Sequence, residues 1–332
     1  MRYPLGLSLS MGLHLVRKRL QGARRFPLVL MLEPTHRCNL ACQGCGRIRE
    51  YKDTLDREMS VLECLQAAYE CDAPIVSICG GEPLLYSRIR ELVQELLSAR
   101  RYVYLCTNGL LLRESLPKFE PRRDFIINVH VDGLAPTHDR LCGRSGTFDE
   151  TIAGIREAKH RDFLVCTNTS IYRGTDLDEA ERLFGVLQLA GVDGFLISPG
   201  FAYEPAEQDV MLQRDEMNRH FAGIGRLARR YSLWNTPLYL AFLAGKTDLK
   251  CVPWGNPTRT PLGWRSPCYL VCEKHYRRFA DLMEKTDWSK FTDGRHPECR
   301  NCRVHSGFEP AAVMAAMSSF RALTKMLRWS RI

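Results

Sequence analysis

The residues with the most chemical potential are three cysteines packed into one short loop, Cys38-x-x-x-Cys42-x-x-Cys45. Thiolates are soft, strong metal ligands, and three on so short a loop can converge on one centre. On a four-iron cluster, three protein ligands leave one iron open, which suits a centre that binds a substrate rather than one that only stores an electron. A zinc ion would want a fourth protein ligand nearby, and His36 could supply it. The loop alone therefore leaves iron–sulfur, zinc and unliganded thiols open. A second constellation, Gly80-Gly81-Glu82-Pro83, follows the next apolar run. Adjacent glycines let a backbone approach a ligand closely, and a carboxylate beside them accepts hydrogen bonds from an ammonium group.

Together the two motifs resemble the radical S-adenosylmethionine (SAM) superfamily, in which CxxxCxxC follows the first strand of a partial (β/α)6 barrel and GGEP follows the second. The resemblance runs from Pro27 to about residue 200. It implies a 4Fe-4S cluster on Cys38, Cys42 and Cys45. SAM would chelate the open iron through its amino and carboxylate groups, and Gly80, Gly81 and Glu82 would hold the amino group. One electron passed to the sulfonium would release a 5′-deoxyadenosyl radical, the protein supplying position and exclusion of water. The chain departs from the pattern at Gly44, where the superfamily often has an aromatic residue before the third cysteine. Later strand ends should complete the cofactor pocket, because active sites gather at the C-terminal ends of parallel strands. Thr107, Asn108, His130, Asp132, Asn168, Ser170 and Ser198 all fall there. Period-2 alternation puts His130 and Asp132 on one face.

Longer strings narrow the resemblance. Pro27-Leu28-Val29-Leu30-Met31-Leu32-Glu33-Pro34, Tyr104-Leu105-Cys106-Thr107-Asn108, Val252-Pro253-Trp254-Gly255-Asn256-Pro257-Thr258-Arg259 and Pro267-Cys268-Tyr269-Leu270 are similar to the adenosylhopane synthase (adenosyl-hopene transferase) family of hopanoid biosynthesis. That likeness implies addition of the adenosyl radical to the alkene of diploptene, a pentacyclic triterpene, with an electron donor such as flavodoxin or ferredoxin. It also assigns Cys106, at the end of the third apolar run, as the thiol that returns a hydrogen atom to the adduct. The alternative is a related radical SAM enzyme with a twitch or SPASM-like extension, acting on another terpenoid or a peptide. Cys251, Cys268 and the Cys299-x-x-Cys302 pair look like the cysteine elements of such extensions. Four thiols suffice for one auxiliary iron–sulfur cluster or one zinc, with reduced structural thiols as the plain reading. The hopanoid family usually carries a further thiol after a histidine here, whereas this chain has His305-Ser306.

These residues need a scaffold, and the apolar pattern describes one. Short apolar runs at 28–32, 74–79, 102–106, 125–131, 163–168 and 194–198 alternate with stretches of helical period. Near-continuous apolar strands of this kind suit a parallel sheet covered by helices. The expected class is α/β: a partial (β/α)6 barrel over residues 26–200. A Cys-rich, metal-held extension would follow over 201–310. Basic amphipathic segments would flank both, at 1–25 and 311–332.

The 332 residues carry a net charge of +9. Ten of the bases lie in the two end segments, which hold no acid, and the remainder balances at 37 bases against 38 acids. A basic core for nucleic acid is excluded on that count. The charged ends fit peripheral contact with an anionic membrane surface. Met314, Met317, Phe320, Leu323, Met326 and Leu327 would form the apolar face of the last segment. The basic cluster follows the N-terminal apolar stretch, the reverse of a secretory signal, so the chain is expected in the cytoplasm. Fourteen cysteines in such a compartment point to thiolate chemistry rather than disulfides.

Overall fold

The computed structural model describes residues 4–200 and 210–319, together with 324, 326 and 329. Each apolar run named above is a strand: β1 (Val29–Leu32), β2 (Ile75–Ile78), β3 (Tyr102–Thr107), β4 (Phe125–His130), β5 (Leu164–Ile171) and β6 (Gly194–Pro199). They pair side by side in parallel, as the α/β partial barrel requires. Parallel neighbours cannot be joined by a tight turn, and helices such as Val61–Cys71, Ile89–Ser98, Thr147–His160 and Leu177–Leu189 make the crossovers. In Ile89–Ser98 the buried positions are Ile89, Leu92, Val93, Leu96 and Leu97, one stripe of a 3.6-residue period. Each such side chain contributes roughly 1.5–3 kcal/mol when fully buried. Ser60 and Glu63 cap the start of Val61–Cys71 reciprocally, fixing where the chain leaves the cysteine loop for its helix.

The extension is continuous with the sheet of the barrel. It adds β7 (Thr258–Thr260), β8 (Gly263–Pro267) and β9 (Cys272–Tyr276) to the same sheet, whose order is β6-β5-β4-β3-β2-β1-β7-β8-β9. β7 runs parallel to β1, and β8 and β9 are antiparallel. The physical reason is the open edge of β1, whose backbone groups need partners. The amides of Leu28, Met31 and Glu33 donate to the carbonyls of Gly255, Pro257 and Arg259 at 2.7, 2.9 and 2.9 Å. Trp264 and Trp288 are buried beneath this region.

The end segments are also more integrated than basic tails. Residues Leu5–Leu20 form a helix whose Leu7 and Met11 pack with Ile75, Tyr102, Tyr104, Ile126 and Trp234, at the N-terminal end of the barrel. The last helix begins at His305, before the expected boundary, and runs to Ser318, burying Phe308, Ala311 and Ala312. Of the apolar face expected there, Phe320, Leu323 and Leu327 lie outside the described residues, as do the side chains of Arg321, Lys325, Arg328 and Arg331. No described helix is long and apolar enough to cross a membrane.

Candidate active site

The cysteine loop and the glycine motif are bound to each other. Gly81 N donates to Thr35 O at 3.2 Å and Glu82 N to Arg37 O at 2.7 Å. A Cβ on Gly81 would stand 2.0 Å from Arg37 O, and one on Gly80, whose φ is +115°, would stand 2.5 Å from Thr35 O. The glycines are thus required first for the approach of one loop to the other, which a side chain would block.

Beneath the loop, the fully buried Glu33 pairs with Arg47 Nε at 2.9 Å and His36 Nε2 at 3.3 Å. Burial works against its ionisation, but Arg47 and His36 outweigh it and hold the carboxyl at about 2. Arg47 also reaches the carbonyl of Tyr269 and lies 4.3 Å from that ring, tying the loop to the extension. His36, the alternative zinc ligand, is stacked on Tyr51 at 3.7 Å and points to Glu33. It does not line the cavity that the three thiols share.

That cavity has a volume of about 690 Å³. Cys38, Cys42 and Cys45 line it together with Gly80, Gly81 and Glu82. None of the three thiols is in a disulfide. The amides of Leu40 and Arg47 donate to Cys38 and Cys45, which favours the thiolate, while burial pushes the Cys38 thiol up to about 12 when no cation is present. Among the described residues no group of three or more His, Cys, Asp or Glu is drawn closely enough for a single metal ion. A cubane cluster spreads its thiolate ligands over a wider span than one ion does, and three thiolates on one cavity wall are the donor set it takes.

Glu82 lies across the cavity wall and is fully buried. Its Oε1 accepts from Thr107 Oγ1 at 2.9 Å and Leu84 N at 3.0 Å, and its Oε2 accepts from Asn108 N at 2.8 Å. Burial pushes this carboxyl up to about 7 against those three donors. Oε2 has capacity for one more donor, the place an N–H of an amino group would take. Thr107 thus acts through Glu82, and Asn108 bridges by its side chain to Asn39 in the cysteine loop at 2.8 Å. The residues fit the pair of groups the motifs imply, a thiolate-held cluster and a ligand carrying an amino group.

The remaining rim residues are also brought together. His130, Asp132, Asn168, Ser170 and Ser198 all face the cavity. His130 Nε2 meets Asp132 Oδ2 at 2.7 Å, Asn168 Nδ2 stands 3.3 Å from His130 Nδ1, and Asp132 Oδ1 accepts from Ser170 N at 2.7 Å. Burial opposes protonation of His130, but the Asp132 carboxylate prevails and raises it above the usual imidazole value. The departure at Gly44 has a structural counterpart. A Cβ there would stand 2.3 Å from Tyr172 Oη, so the aromatic ring comes from the end of β5 instead.

Deeper in the barrel, Cys106 lies between the polar and apolar parts of the cavity. Its Sγ stands 3.2 Å from Ser77 Oγ and 3.5 Å from Asn128 Nδ2. Burial raises the thiol, so it stays protonated near neutrality. Below it the walls turn apolar, with Ile75, Tyr104, Leu28, Trp234, Val313 and Met317.

Residues 32–187 match the model of the radical SAM superfamily, and residues 195–326 match a domain of unknown function, DUF3463. Residues 32–187 therefore carry the likeness to the radical SAM superfamily. Its cofactors are SAM and a 4Fe-4S cluster, for which Cys38, Cys42, Cys45 and Glu82 are the fitting residues. The AdoMet-dependent heme synthase of Methanosarcina barkeri is 30% identical over 170 residues, covering 50% of this chain and 48% of that protein. The GTP 3′,8-cyclase of Peptoclostridium acidaminophilum is 31% identical over 49% of this chain and 52% of its own length. The match thus spans about half the length of these curated relatives. Among solved structures, anSMEcpe with bound AdoMet superposes with a TM-score of 0.61 at 16% identity, over 92% of this chain and 93% of that one. SuiB of Streptococcus suis bound to S-adenosylmethionine gives 0.61 at 16%, over 87% and 71%. These likenesses establish the fold, a partial α/β barrel with a cysteine-rich extension.

The extension's thiols, Cys251, Cys268, Cys299 and Cys302, are all part-buried and within electrostatic reach of one another. Val271 N donates to Cys268 Sγ at 3.4 Å, and the amide of Val304 donates to Cys302.

Several cavity residues carried no sequence signal strong enough to single them out. Ser77 and Asn128 are lone polar residues in apolar strands, legible only as the inward positions of a period-2 pattern. His305 and Glu309 reach the cavity from the last helix, Glu309 accepting from Asn235 Nδ2 at 2.9 Å.

Proposed function

We propose that this enzyme adds a 5′-deoxyadenosyl group to the alkene of an apolar lipid, diploptene being the substrate that the sequence resemblance names. The observation that supports this reading best is the two-ended cavity: cofactor-fitting residues at one end, apolar walls at the other, and the Cys106 thiol between them. Apolar walls select by shape and exclude water from a radical.

When bound, SAM and the cluster supply the 5′-deoxyadenosyl radical by one-electron cleavage of a carbon–sulfur bond. Addition to the double bond forms a carbon–carbon bond and leaves one carbon trivalent. Cys106 then gives that carbon a hydrogen atom, and the sulfur radical regains one electron and one proton from a donor such as flavodoxin or ferredoxin. Ser77 and Asn128 hold the thiol in place, and its protonated state is the one a hydrogen-atom donor needs. Glu82 fixes the amino group of SAM, while the His130, Asp132, Asn168, Ser170 and Ser198 rim faces the nucleoside. Such a substrate puts the enzyme at the cytoplasmic face of a membrane, as a peripheral protein.

Anaerobic incubation with SAM, a reductant and diploptene should yield the adenosylated lipid by mass analysis. Cys106→Ala should still release methionine but lose the reduced adduct, by at least about tenfold for a lost hydrogen donor. Undiminished adduct from that variant would remove Cys106 from the reaction.

A second reading has its own support. Solved relatives include SuiB bound to the precursor peptide SuiA and anSMEcpe with bound peptides, so a peptide or another terpenoid is the alternative substrate class. Turnover of a peptide library with no adduct from diploptene would favour it. We also propose that Cys251, Cys268, Cys299 and Cys302 hold one auxiliary centre, iron–sulfur rather than zinc. Amides aimed at Cys268 and Cys302 parallel those aimed at Cys38 and Cys45, and such hydrogen bonds stabilise cluster thiolates. Iron analysis of anaerobically purified protein should find about eight per chain, and about four would leave only the barrel cluster.

A further inference from the structure

Leu5–Leu20 is apolar on two opposite sides. Its inner side, with Leu7, Met11 and Leu15, closes the base of the cavity at the end away from Glu82. Gly6 lies so close to Tyr102 that a Cβ there would stand 2.4 Å from the ring hydroxyl. Its outer side presents Leu5, Leu9, Leu13, Val16 and Leu20, with exposures of 58, 64, 72, 57 and 85%. At 3.6 residues per turn these five fall within a stripe about 80° wide. Single exposed leucines are ordinary, but five of the eight large exposed apolar side chains among the described residues lie on this one helix.

We propose that this stripe docks on an anionic phospholipid bilayer, and that the helix is the door through which an apolar substrate passes from that bilayer into the base of the barrel. The second half of the proposal rests on the lipid-alkene reading above; the first does not. Charge complementarity selects the occupant. Arg17 and Arg19 sit about 40° to either side of the stripe, where phosphate headgroups would meet them. The first 25 residues hold six bases and no acid. The acid that Arg17 and Lys18 meet is Asp72, which Arg101 shares, so the face keeps a positive surplus. Two copies of this face would set like charges against each other, whereas an anionic surface neutralises them. Entry at the base also spares an apolar molecule the polar rim of Glu82, His130 and Asp132.

The test uses the full, cluster-loaded chain and a Leu9→Glu/Leu13→Glu/Val16→Glu variant, whose changes avoid the cavity lining. Flotation is measured with vesicles containing phosphatidylglycerol and with pure phosphatidylcholine vesicles. The native chain should float with the anionic vesicles and be released by salt, and the variant should lose at least about tenfold in partition. Fold is controlled by the melting curve and by cofactor cleavage without substrate, both unchanged. The variant should lose turnover of diploptene embedded in vesicles while keeping turnover of detergent-dispersed diploptene. A native chain that stays unbound, a variant that floats equally well, or a variant that instead dissociates a dimer in sedimentation would overturn the docking proposal. Flotation with no lipid adduct in either format would support docking while overturning both the door and the lipid-alkene reading. Adduct formation in detergent with no flotation would overturn docking and the door while supporting the lipid-alkene reading.

Discussion

The chemistry of Glu82 depends strongly on its surroundings. A carboxyl pushed up to about 7 by burial is protonated below that pH, where it is a poorer acceptor for the N–H groups of an iron-bound amino group. SAM affinity should therefore rise as pH increases through about 7 and level off above it, and Glu82→Gln should flatten that dependence and weaken binding. Equilibrium binding across neutral pH checks this; an unchanged profile in the variant would assign the amino group elsewhere. The cysteine loop and this acid were legible in the sequence because their spacing is itself the chemistry. Ser77, Asn128 and Tyr172 were not, since one polar residue in an apolar strand, or one aromatic after it, is ordinary until the register places it on the cavity. His36 shows the converse. Its position near the thiols suggested a ligand, yet the buried Glu33–Arg47 pair beside it claims its ring.

At the scale of elements, the six parallel strands were readable because strands buried on both faces are apolar throughout. The strands of the extension were not. β7 reads Thr-Arg-Thr and exists because the edge of β1 offers it partners, a condition no local pattern records. The sequence marks residues 1–25 as a basic amphipathic segment, but a helix that is apolar on two sides gives a weak periodic signal, so the side that walls the cavity is not legible there. The junction between the cysteine loop and β2 yields the sharpest prediction here. Gly81→Ala would place a methyl group 2.0 Å from Arg37 O, forcing the two loops apart. We expect a loss of about 2–4 kcal/mol in chemical denaturation, with lower iron retention after reconstitution. Full stability and full iron content would show that the contact can relax.

Across the whole molecule, the barrel, the extension and both end segments share one cavity that is polar where SAM fits and apolar toward the first helix. Cys106 stands at the change between the two, and the proposed reaction turns on the hydrogen atom its thiol would give there. A thiol proton exchanges with solvent, whereas the hydrogens of SAM do not. The most direct measurement is therefore the mass of the lipid product formed in deuterium oxide. Hydrogen return from Cys106 predicts an adenosylated product carrying one solvent deuterium on the lipid carbon next to the new bond. An adduct free of deuterium, or 5′-deoxyadenosine as the sole nucleoside product while the lipid is consumed, would contradict it.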